Sequence, residues 1–417
     1  MHTGTLPGFL MEADITRIPE QEPSLTAVPV FIGYVQRLDP ALQGVPTYIT
    51  RYSEYERRFC NGAGHDSHAW DYAGGPESVA AQGPYLRSSI FLYFLNGGGP
   101  CFVLPVGTLD GSKPRRKDFA DTAEAIDRVP EITLILPTDA ILLPAADYAG
   151  VCEDYLRLCA RSAGRFVIMD AGQAEASTNG GGNIAREFVQ SLGSEHLQWG
   201  AAYYPYLLLK PRTVQDQLQG SSKSVALPSA AAAAAYSVTD QDRGIWKAPA
   251  NVPVTGVLGL SQRLEIQEMG QLYSPEDGRA VNLLRALHGR GVYVWGARTL
   301  AGLNAQAQHV NVRRLQSFIE STLRNRTMFA VFEPNNMRTW LVIRGIFDTF
   351  LKEIWESGGL AGGRKEQAYT IQIGLGETMT QADIDEGRMI AHVQIAPKRP
   401  AEFISLRIFH QVQSLGN

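Results

Sequence analysis

The most regular pattern of apolar and polar positions lies in the last third of the chain. There, apolar residues recur at intervals of three and four, which predicts one buried face of a helix. This face consists of Val312, Leu315, Ile319 and Leu323. The short apolar run Met328-Phe-Ala-Val-Phe332 predicts a buried strand, and Asn335 or Asn336 can cap a second helix after it. The apolar face of that helix comprises Trp340, Ile343, Phe347, Phe350, Leu351, Ile354 and Trp355.

Three strand-like runs follow this second helix, after a glycine-rich stop at residues 358–363. We predict strands at residues 369–375, 389–396 and 403–411. The last run lies at the end of the sequence, where a long apolar strand needs a pairing partner. The last third is therefore expected to form a dense α/β unit that ends in an extended strand.

The beginning of the sequence has a period-two pattern, typical of an extended segment with one apolar face. Its apolar positions are Met11, Ala13 and Ile15. Pro19 and Pro23 follow, and they separate this segment from the body as a stiff connector. A second apolar run at residues 28–35 predicts the first strand of the body.

The middle of the sequence alternates between strand-like and helix-like runs. We predict strands at residues 132–136, 166–170 and 201–204, and helices at residues 148–163 and 184–192. Residues 210–229 are rich in Gln and Ser and are expected to form an exposed loop. Ala230–Ala235 is expected to begin a closely packed helix. This alternation indicates an α/β fold class.

Composition excludes several classes of protein. A chain of 417 residues with 44% hydrophobic and 19% charged residues is globular and long enough for two or three domains. The net charge of −4 argues against a nucleic-acid partner. No apolar run approaches the roughly 20 residues that cross a bilayer, and we see no signal peptide at the start, so we expect no membrane insertion. The four cysteines form no CxxC motif, and Cys152 and Cys159 are expected to be buried free thiols.

A search for catalytic motifs leaves one candidate. Asp170 ends a predicted strand, where α/β enzymes place catalytic carboxylates, and Gly180-Gly-Gly182 follows in a flexible loop. A turn-forming Asp is the more ordinary interpretation. A metal cluster could be imagined at His65, Asp66, His68 and Asp71, but these residues lie in a polar, glycine-rich loop, which is more often simply solvated. A phosphate-binding loop could be imagined at Asn96-Gly-Gly-Gly99, but Pro100 and a strand follow it, whereas a Walker loop is followed by a helix. We therefore expect no catalytic, cofactor or metal site.

Seven motifs in a fixed order resemble the tail sheath proteins of contractile phage tails and related contractile injection systems. They are Leu6-Pro-Gly-Phe9 with Leu25-Thr-Ala-Val-Pro-Val-Phe-Ile-Gly33, Phe94-Leu-Asn-Gly-Gly98 with Cys101-Phe-Val103, residues 239–251, Trp295-Gly-Ala-Arg-Thr299, Val310-Asn-Val-Arg-Arg314, Phe332-Glu-Pro-Asn335 and Pro400-Ala-Glu-Phe-Ile404. The sequence departs from the family's pattern at two places, the alanine run before Asp240 and Pro275-Glu-Asp-Gly278. These departures make the local loop geometry uncertain but do not affect the resemblance to the family.

The resemblance implies a mixed α+β core built from both ends of the chain. The domains would be an N-terminal arm (1–22), a first core part (23–105), an inserted outward-facing variable domain (106–239), a second core part (240–400) and a C-terminal arm strand (401–417). In such proteins the terminal arms add strands to the sheets of neighbouring subunits. The implied inter-subunit arm contacts are Met11, Ala13, Ile15, Phe403, Ile404, Leu406 and Ile408.

The implied function is structural and mechanical. Subunits would stack as six-subunit rings in a helical sleeve around an inner tube protein, with baseplate and tail-terminator proteins as further partners. Contraction would drive the tube through a target envelope without a cofactor, because the energy is stored in the lattice. The particle would assemble in the bacterial cytoplasm and be released in some systems. A soluble α/β enzyme and a low-copy, baseplate- or cap-proximal sheath paralogue are the alternatives.

A sheath must grip its tube and later release it, which favours polar contacts over large apolar ones. Two charged stretches of the last third provide candidates: the polar face of the helix from about Asn336 and the loop after it. The expected tube contacts are Arg338, Lys352, Arg364 and Lys365.

Overall fold

The computed structural model of the protein describes residues 26–60, 84–108, 113–162, 164–172, 181–209, 225–302, 307–398 and 404–411. The strands are β1 (Pro29–Tyr34), β2 (Thr47–Ile49), β3 (Cys101–Gly107), β4 (Leu134–Leu136), β5 (Phe166–Asp170), β6 (Gly200–Tyr204), β7 (Leu207–Leu209), β8 (Val225–Ala226), β9 (Val252–Val254), β10 (Val257–Leu260), β11 (Val281–Leu287), β12 (Gly291–Val294), β13 (Tyr369–Ile373), β14 (Arg388–Ile395) and β15 (Ile404–Gln411). The helices are α1 (Tyr52–Phe59), α2 (Leu86–Leu95), α3 (Thr122–Asp127), α4 (Ala145–Arg161), α5 (Gly181–Ser191), α6 (Pro228–Arg243), α7 (Ile266–Tyr273), α8 (Val310–Arg326), α9 (Met337–Glu356), α10 (Lys365–Ala368) and α11 (Gln381–Asp385).

Nine strands form one sheet in the order β2-β3-β1-β4-β5-β6-β11-β12-β9. From β3 to β11 neighbouring strands are parallel, whereas β2 at one edge and β12 and β9 at the other are antiparallel. Strands of a parallel sheet are buried on both faces, so they read as continuous apolar runs. This explains why β1, β3, β5 and β6 were predicted correctly from the sequence. The α/β fold class is confirmed.

Helices cover both faces of this sheet. On one face lie α1, α2 and α6, and the six alanines of α6 are all buried there. On the other face lie α3, α4 and α5, together with large side chains such as Tyr148 and Tyr155. Because alanine has no side chain beyond Cβ, α6 can approach the strands closely, as the alanine run predicted.

The segment expected to form an insertion, residues 106–239, contributes strands to the main sheet. Its strands β4, β5 and β6 are hydrogen-bonded between β1 and β11, at the centre of the nine-stranded sheet. Residue 106 falls inside β3, and residue 239 falls inside α6. The segment is therefore integrated into the sheet, because parallel βαβ units must share one sheet to bury both faces. Its outward location remains a proposal.

The loop expected at residues 210–229 is only partly described, because residues 210–224 lie outside the described part of the chain. Residues 225–229 are buried, which corrects the expectation for them. Val225 and Ala226 form β8, which joins β7 and β10 in a second sheet of three strands. The turn at residues 96–99 is as predicted, with Gly97 at φ +82°.

The remaining elements, α8 to α11 and β13 to β15, form a C-terminal unit with its own core. The predicted faces of α8 and α9 are buried against each other and against the sheet β13-β14-β15. Asn336 caps α9, since its Oδ1 accepts from the Arg338 and Thr339 backbone N–H groups at 3.1 and 3.2 Å. Gly358, at φ +83°, follows the end of α9, as the glycine-rich stop predicted.

Candidate assembly surface

The C-terminal sheet has two strand edges that no other described strand covers. The central strand β14 pairs antiparallel with β13 on one side and with β15 on the other, over eight residue pairs from Arg388–Gln411 to Ile395–Ile404. The outer edges of β13 and β15 thus have no strand partner among the described residues. An open edge presents unpaired N–H and C=O groups, which makes it a template for another strand.

One face of β14 is buried and the other is not. Met389, Ala391, Val393 and Ile395 alternate with partly exposed residues and belong to the core of the C-terminal unit. This period-two pattern pins the register, because a shift by one residue would expose the apolar set. The register of β14 is therefore fixed by the core of the C-terminal unit.

The most exposed apolar surface of the unit lies beside this sheet, and we call it the apolar ridge. It consists of Met328, Phe329, Phe332, Met337 and Leu341. Phe332 is 89% exposed, Met337 69% and Met328 61%. The prediction of a buried strand at residues 328–332 is wrong, because these residues form a 3₁₀ helix in which only Ala330 is buried. The apolar run was mistaken for core because sequence alone does not tell a buried run from an exposed binding face.

A network of hydrogen bonds holds the ridge in place. The Thr327 Oγ1 donates to the Leu323 carbonyl at 2.8 Å, at the end of α8. The Thr339 Oγ1 donates to the Pro334 carbonyl at 2.7 Å, and the Trp340 Nε1 donates to the Asn335 Oδ1 at 2.8 Å. The loop between Phe332 and α9 is thus held to the first turn of the helix by two hydrogen bonds, and Phe332 is exposed beside it.

The charged tube-contact candidates separate into two groups. Arg338 lies in the first turn of α9, within the ridge, whereas Lys352 lies fourteen residues later, about 21 Å along the helix axis. Lys352 pairs with Glu356 at 3.6 Å, and Lys365 pairs with Asp348 at 2.5 Å. Arg364 is exposed at the start of α10. All four remain predictions, but the structure does not bring Arg338 together with the other three.

The predicted arm contacts are only partly described. Met11, Ala13, Ile15 and Phe403 lie outside the described residues. Ile404, Leu406 and Ile408 lie in β15, for which the structure describes the backbone pairing with β14. Their contacts with neighbouring subunits therefore stay a prediction.

Asp170, the catalytic candidate, is fully occupied by structural bonds. Its two carboxylate oxygens accept from the Ser229 N–H and the Ser229 Oγ, both at 2.7 Å, at the N-terminus of α6. Burial raises the pKa of Asp170 to about 7, and the two bonds from Ser229 lower it in part. A carboxylate that caps a buried helix is not accessible to a substrate, so Asp170 is a capping residue and not merely a turn former.

The described surface offers little else of chemical interest. A polar cleft of about 610 Å³ lies between α5 and α7, lined by Asn183, Arg186, Gln271 and Ser274, and Asp170 is not part of it. Among the described residues no group of three or more His, Cys, Asp or Glu side chains could hold a metal, and none of the described helices could span a membrane. His65, Asp66, His68 and Asp71, which were not assigned to a metal site from the sequence, lie outside the described residues. All four cysteines are free and buried.

Comparison with known proteins identifies the type of subunit to which this surface belongs. The phage tail sheath C-terminal domain family matches residues 304–411, which span the C-terminal unit. A chain in the structure of the anti-feeding prophage helical sheath in the contracted state is 30% identical, with a TM-score of 0.69; the match covers 97% of this chain and 99% of that chain. This chain belongs to the contractile tail sheath family. It is a structural sheath subunit, and the alternative of an α/β enzyme is not supported.

Other sheath relatives extend the likeness. A chain in the structure of the anti-feeding prophage baseplate is 31% identical, with a TM-score of 0.70, over 97% of this chain and 99% of that one. The tail sheath protein of Vibrio phage KVP40 is 24% identical over 172 residues, which is 40% of this chain but only 24% of that relative's length. The chain thus matches about a quarter of the length of this phage relative, whereas the matches to the two anti-feeding prophage chains cover 99% of each of them.

Proposed function

We propose that the protein polymerises as a helical sleeve of stacked six-subunit rings around an inner tube, and that contraction of this sleeve drives the tube through a target envelope. Association with a baseplate and a tail terminator, and assembly in the bacterial cytoplasm, belong to the same proposal. The relatives whose structures are described as a contracted helical sheath and as a six-fold symmetrised baseplate support it.

The observation that carries the proposal is the apolar ridge beside the C-terminal sheet. Five large apolar side chains within fourteen residues are exposed there. On monomeric proteins, contiguous exposed apolar surface of this kind marks an interaction site. A helical lattice needs a contact between two different faces of neighbouring subunits, and we assign the ridge to one side of such a contact.

The arms supply the second type of contact. The N-terminal arm would pair with an open edge of the C-terminal sheet in a neighbouring subunit, and β15, which pairs with β14 of its own subunit, would add to a neighbouring sheet through its outer edge. An arm strand of about eight residues adds about four ladder bonds at about 1 kcal/mol each. One link is weak, and many links in a lattice hold the sleeve together while the proline-containing connectors let subunits rotate.

The ridge can be tested with the double variant Phe332→Ser/Met337→Ser. We expect a folded monomer that forms no tubes in negative-stain electron microscopy. The matched control is Ile266→Ser, which removes a similarly exposed apolar side chain (81%) from α7, outside the C-terminal unit. Normal tubes from the ridge variant, or loss of tubes in the control alone, would overturn the assignment of the ridge as a lattice contact.

A second candidate function is a sheath subunit present in few copies next to the baseplate. The 31% identity to a baseplate-structure chain favours it as much as the 30% identity to the helical-sheath chain favours the main sleeve. Assembly of the purified protein alone separates the two. A main sheath subunit gives tubes of indefinite length, whereas a terminal subunit gives single or few stacked rings.

A further inference from the structure

A buried ion pair joins the C-terminal unit to the nine-stranded sheet. Arg314 in α8 and Asp240 in α6 have side chains that are only 3% and 4% exposed. The two guanidinium nitrogens bind the two carboxylate oxygens, with Nη1–Oδ1 at 3.0 Å and Nη2–Oδ2 at 2.6 Å. The guanidinium also lies over the Tyr236 ring at 4.7 Å, and the Tyr236 hydroxyl is 2.9 Å from the Tyr203 hydroxyl of β6.

Arg314 makes one more bond that this junction does not require. Its Nη2 donates to the backbone carbonyl of Thr26 at 2.7 Å, across 288 positions of sequence. Thr26 is the first residue of the described chain, directly after the segment that contains Pro19 and Pro23. The same carbonyl accepts from the Thr133 Oγ1 at 3.1 Å, and this hydroxyl also accepts from the Val28 N–H at 2.8 Å.

The position of Thr26 decides what these bonds can do. β1 begins at Pro29, and its ladder to β4 starts with the pair Pro29–Leu134. A force that pulls on the chain ahead of β1 would act on the hydrogen bonds between β1 and β4 one at a time, beginning with the first pair. Because the Thr26 carbonyl is bound by two side chains ahead of this strand, its bonds bear the force before the bonds between β1 and β4 do. Because one of these side chains is Arg314, the load passes directly into α8.

We propose that Arg314 is the positioning residue through which tension on the N-terminal arm is transmitted to the C-terminal unit, with the Thr26 carbonyl as the point of attachment. This inference rests on the proposed function, in which the arm, residues 1–22, pairs with neighbouring subunits. The unit that receives the tension carries the apolar ridge and the open sheet edges. Two lattice contacts of one subunit would thus be coupled through a single side chain.

The test must separate the loss of the bond between Arg314 and Thr26 from a general loss of stability of the fold. In Arg314→Met/Asp240→Leu, apolar side chains replace both charges, which leaves no unpaired charge and often preserves stability. This variant loses the bond to Thr26. Thr133→Val removes the bonds of the Thr133 hydroxyl to Thr26 and Val28 without touching the ion pair, whereas the backbone bonds from Thr133 and Leu134 to the Val28 carbonyl remain. Arg344→Met, which breaks the exposed pair with Glu377 at 3.2 Å, is the control in the same unit.

Two measurements on the full-length monomer provide the readout. Single-molecule pulling between the N-terminus and a handle in the exposed loop at residues 362–364 should give a first unfolding event at lower force in the double variant and in Thr133→Val, and an unchanged one in the control. Hydrogen exchange should speed up by about tenfold or more at residues 26–31, with no change in β5. An unchanged first unfolding force in a folded double variant overturns the proposal.

The result does not depend on assembly. If the pulling data show the attachment but a protein that lacks the arm still forms normal tubes, the proposed function of the arm fails while the mechanical coupling of Thr26 to Arg314 stands. If the arm is needed for tubes but the first unfolding force is unchanged, the mechanical coupling of Thr26 to Arg314 fails while the proposed function of the arm stands.

Discussion

Gly33 in β1 lies directly against the carboxylate of Asp139, so that a β-carbon at position 33 would overlap with the Asp139 side chain. Asp139 is fully buried and accepts backbone N–H bonds from Tyr34 at 2.8 Å, Tyr85 at 2.5 Å and Leu86 at 3.2 Å. It therefore caps α2 and binds the end of β1 at the same time. The glycine at the end of the Leu25–Gly33 motif is explained by this close approach.

We predict that Gly33→Ala destabilises the protein by about 2–4 kcal/mol, because the new methyl group displaces a carboxylate that satisfies three buried N–H groups. Urea unfolding followed by circular dichroism measures the loss. The control is Gly270→Ala in α7, where no atom lies within 4 Å of the added carbon. There we expect a gain of about 0.5–1 kcal/mol from helix propensity. Equal effects at the two positions would contradict the role of Asp139.

Stability should rise as the pH falls through neutrality. Burial raises the pKa of both Asp139 and Asp170 from 3.8 to about 7 in the folded state. The folded state therefore binds more protons than the unfolded state between about pH 4 and pH 7, and the free energy of unfolding increases as the pH falls through about 7. Between about pH 8 and pH 6 we expect a gain of about 1 kcal/mol for each carboxyl group.

Asp170→Asn isolates one of the two contributions. The amide oxygen can still accept from the Ser229 N–H, and the amide nitrogen can donate to the Ser229 Oγ. The variant should fold and should lose about 1 kcal/mol of the difference in unfolding free energy between pH 8 and pH 6. A pH profile identical to that of the unchanged protein would show that Asp170 does not titrate in this range.

Much of the fold was predictable because its signals are local. The periodicity of Ile319 in α8 and of Phe347 in α9, and the apolar runs of the parallel strands, follow from which faces are buried. The placement of residues 106–239 was not predictable in this way. Strand order depends on contacts between distant residues, such as Val30 with Ile135 in β4, and no sequence period encodes which strand becomes the neighbour. A replacement of residues 115–232 by a linker would remove β4, β5 and β6 from the centre of the sheet.

The assembly surface was predictable only in part. Asn336 signalled the start of α9, and the charged positions on α9 were visible in the sequence. The apolar ridge was missed, because Phe332 and Met328 have the composition of a core strand. The signal that could have found it is Phe332-Glu-Pro-Asn-Asn336, since a proline and a capping asparagine shortly after an apolar run indicate a surface loop. The Arg314–Asp240 pair was also missed, although both residues lie in motifs that the sequence singled out.

Removal of the two chain ends should have different effects. Deletion of residues 1–18 should leave a folded protein that forms no tubes, because that segment carries the alternating apolar positions ahead of Pro19. Deletion of residues 403–417 should be more severe, because it removes β15 and with it eight residue pairs on β14. Thermal unfolding and negative-stain microscopy of both variants provide the comparison. Normal tubes from the first variant would eliminate the N-terminal arm as an inter-subunit contact.

The grip on the inner tube is expected to come from exposed charges near the C-terminal end of α9. Exposed ion pairs contribute only about 0–1 kcal/mol each, so a set of them can hold a tube and still release it. Lys365 is the least suitable of the candidates, because it already pairs with Asp348 and lies 5.7 Å from the centre of the Tyr369 ring. Its reversal to Glu would place two carboxylates together and disturb the unit itself.

The sharper test therefore compares Lys352→Glu/Arg364→Glu with Arg338→Glu. The double variant should still form empty sheaths but should co-assemble poorly with purified tube protein at low salt. High salt should weaken co-assembly of the unchanged protein in the same way, because it screens exposed charges. Arg338 lies in the apolar ridge at the other end of α9, so Arg338→Glu should instead weaken self-assembly of the sheath. If the double variant covers tubes as well as the unchanged protein at low salt, Lys352 and Arg364 do not form the grip, and Arg338 with the ridge becomes the surface to test against the tube.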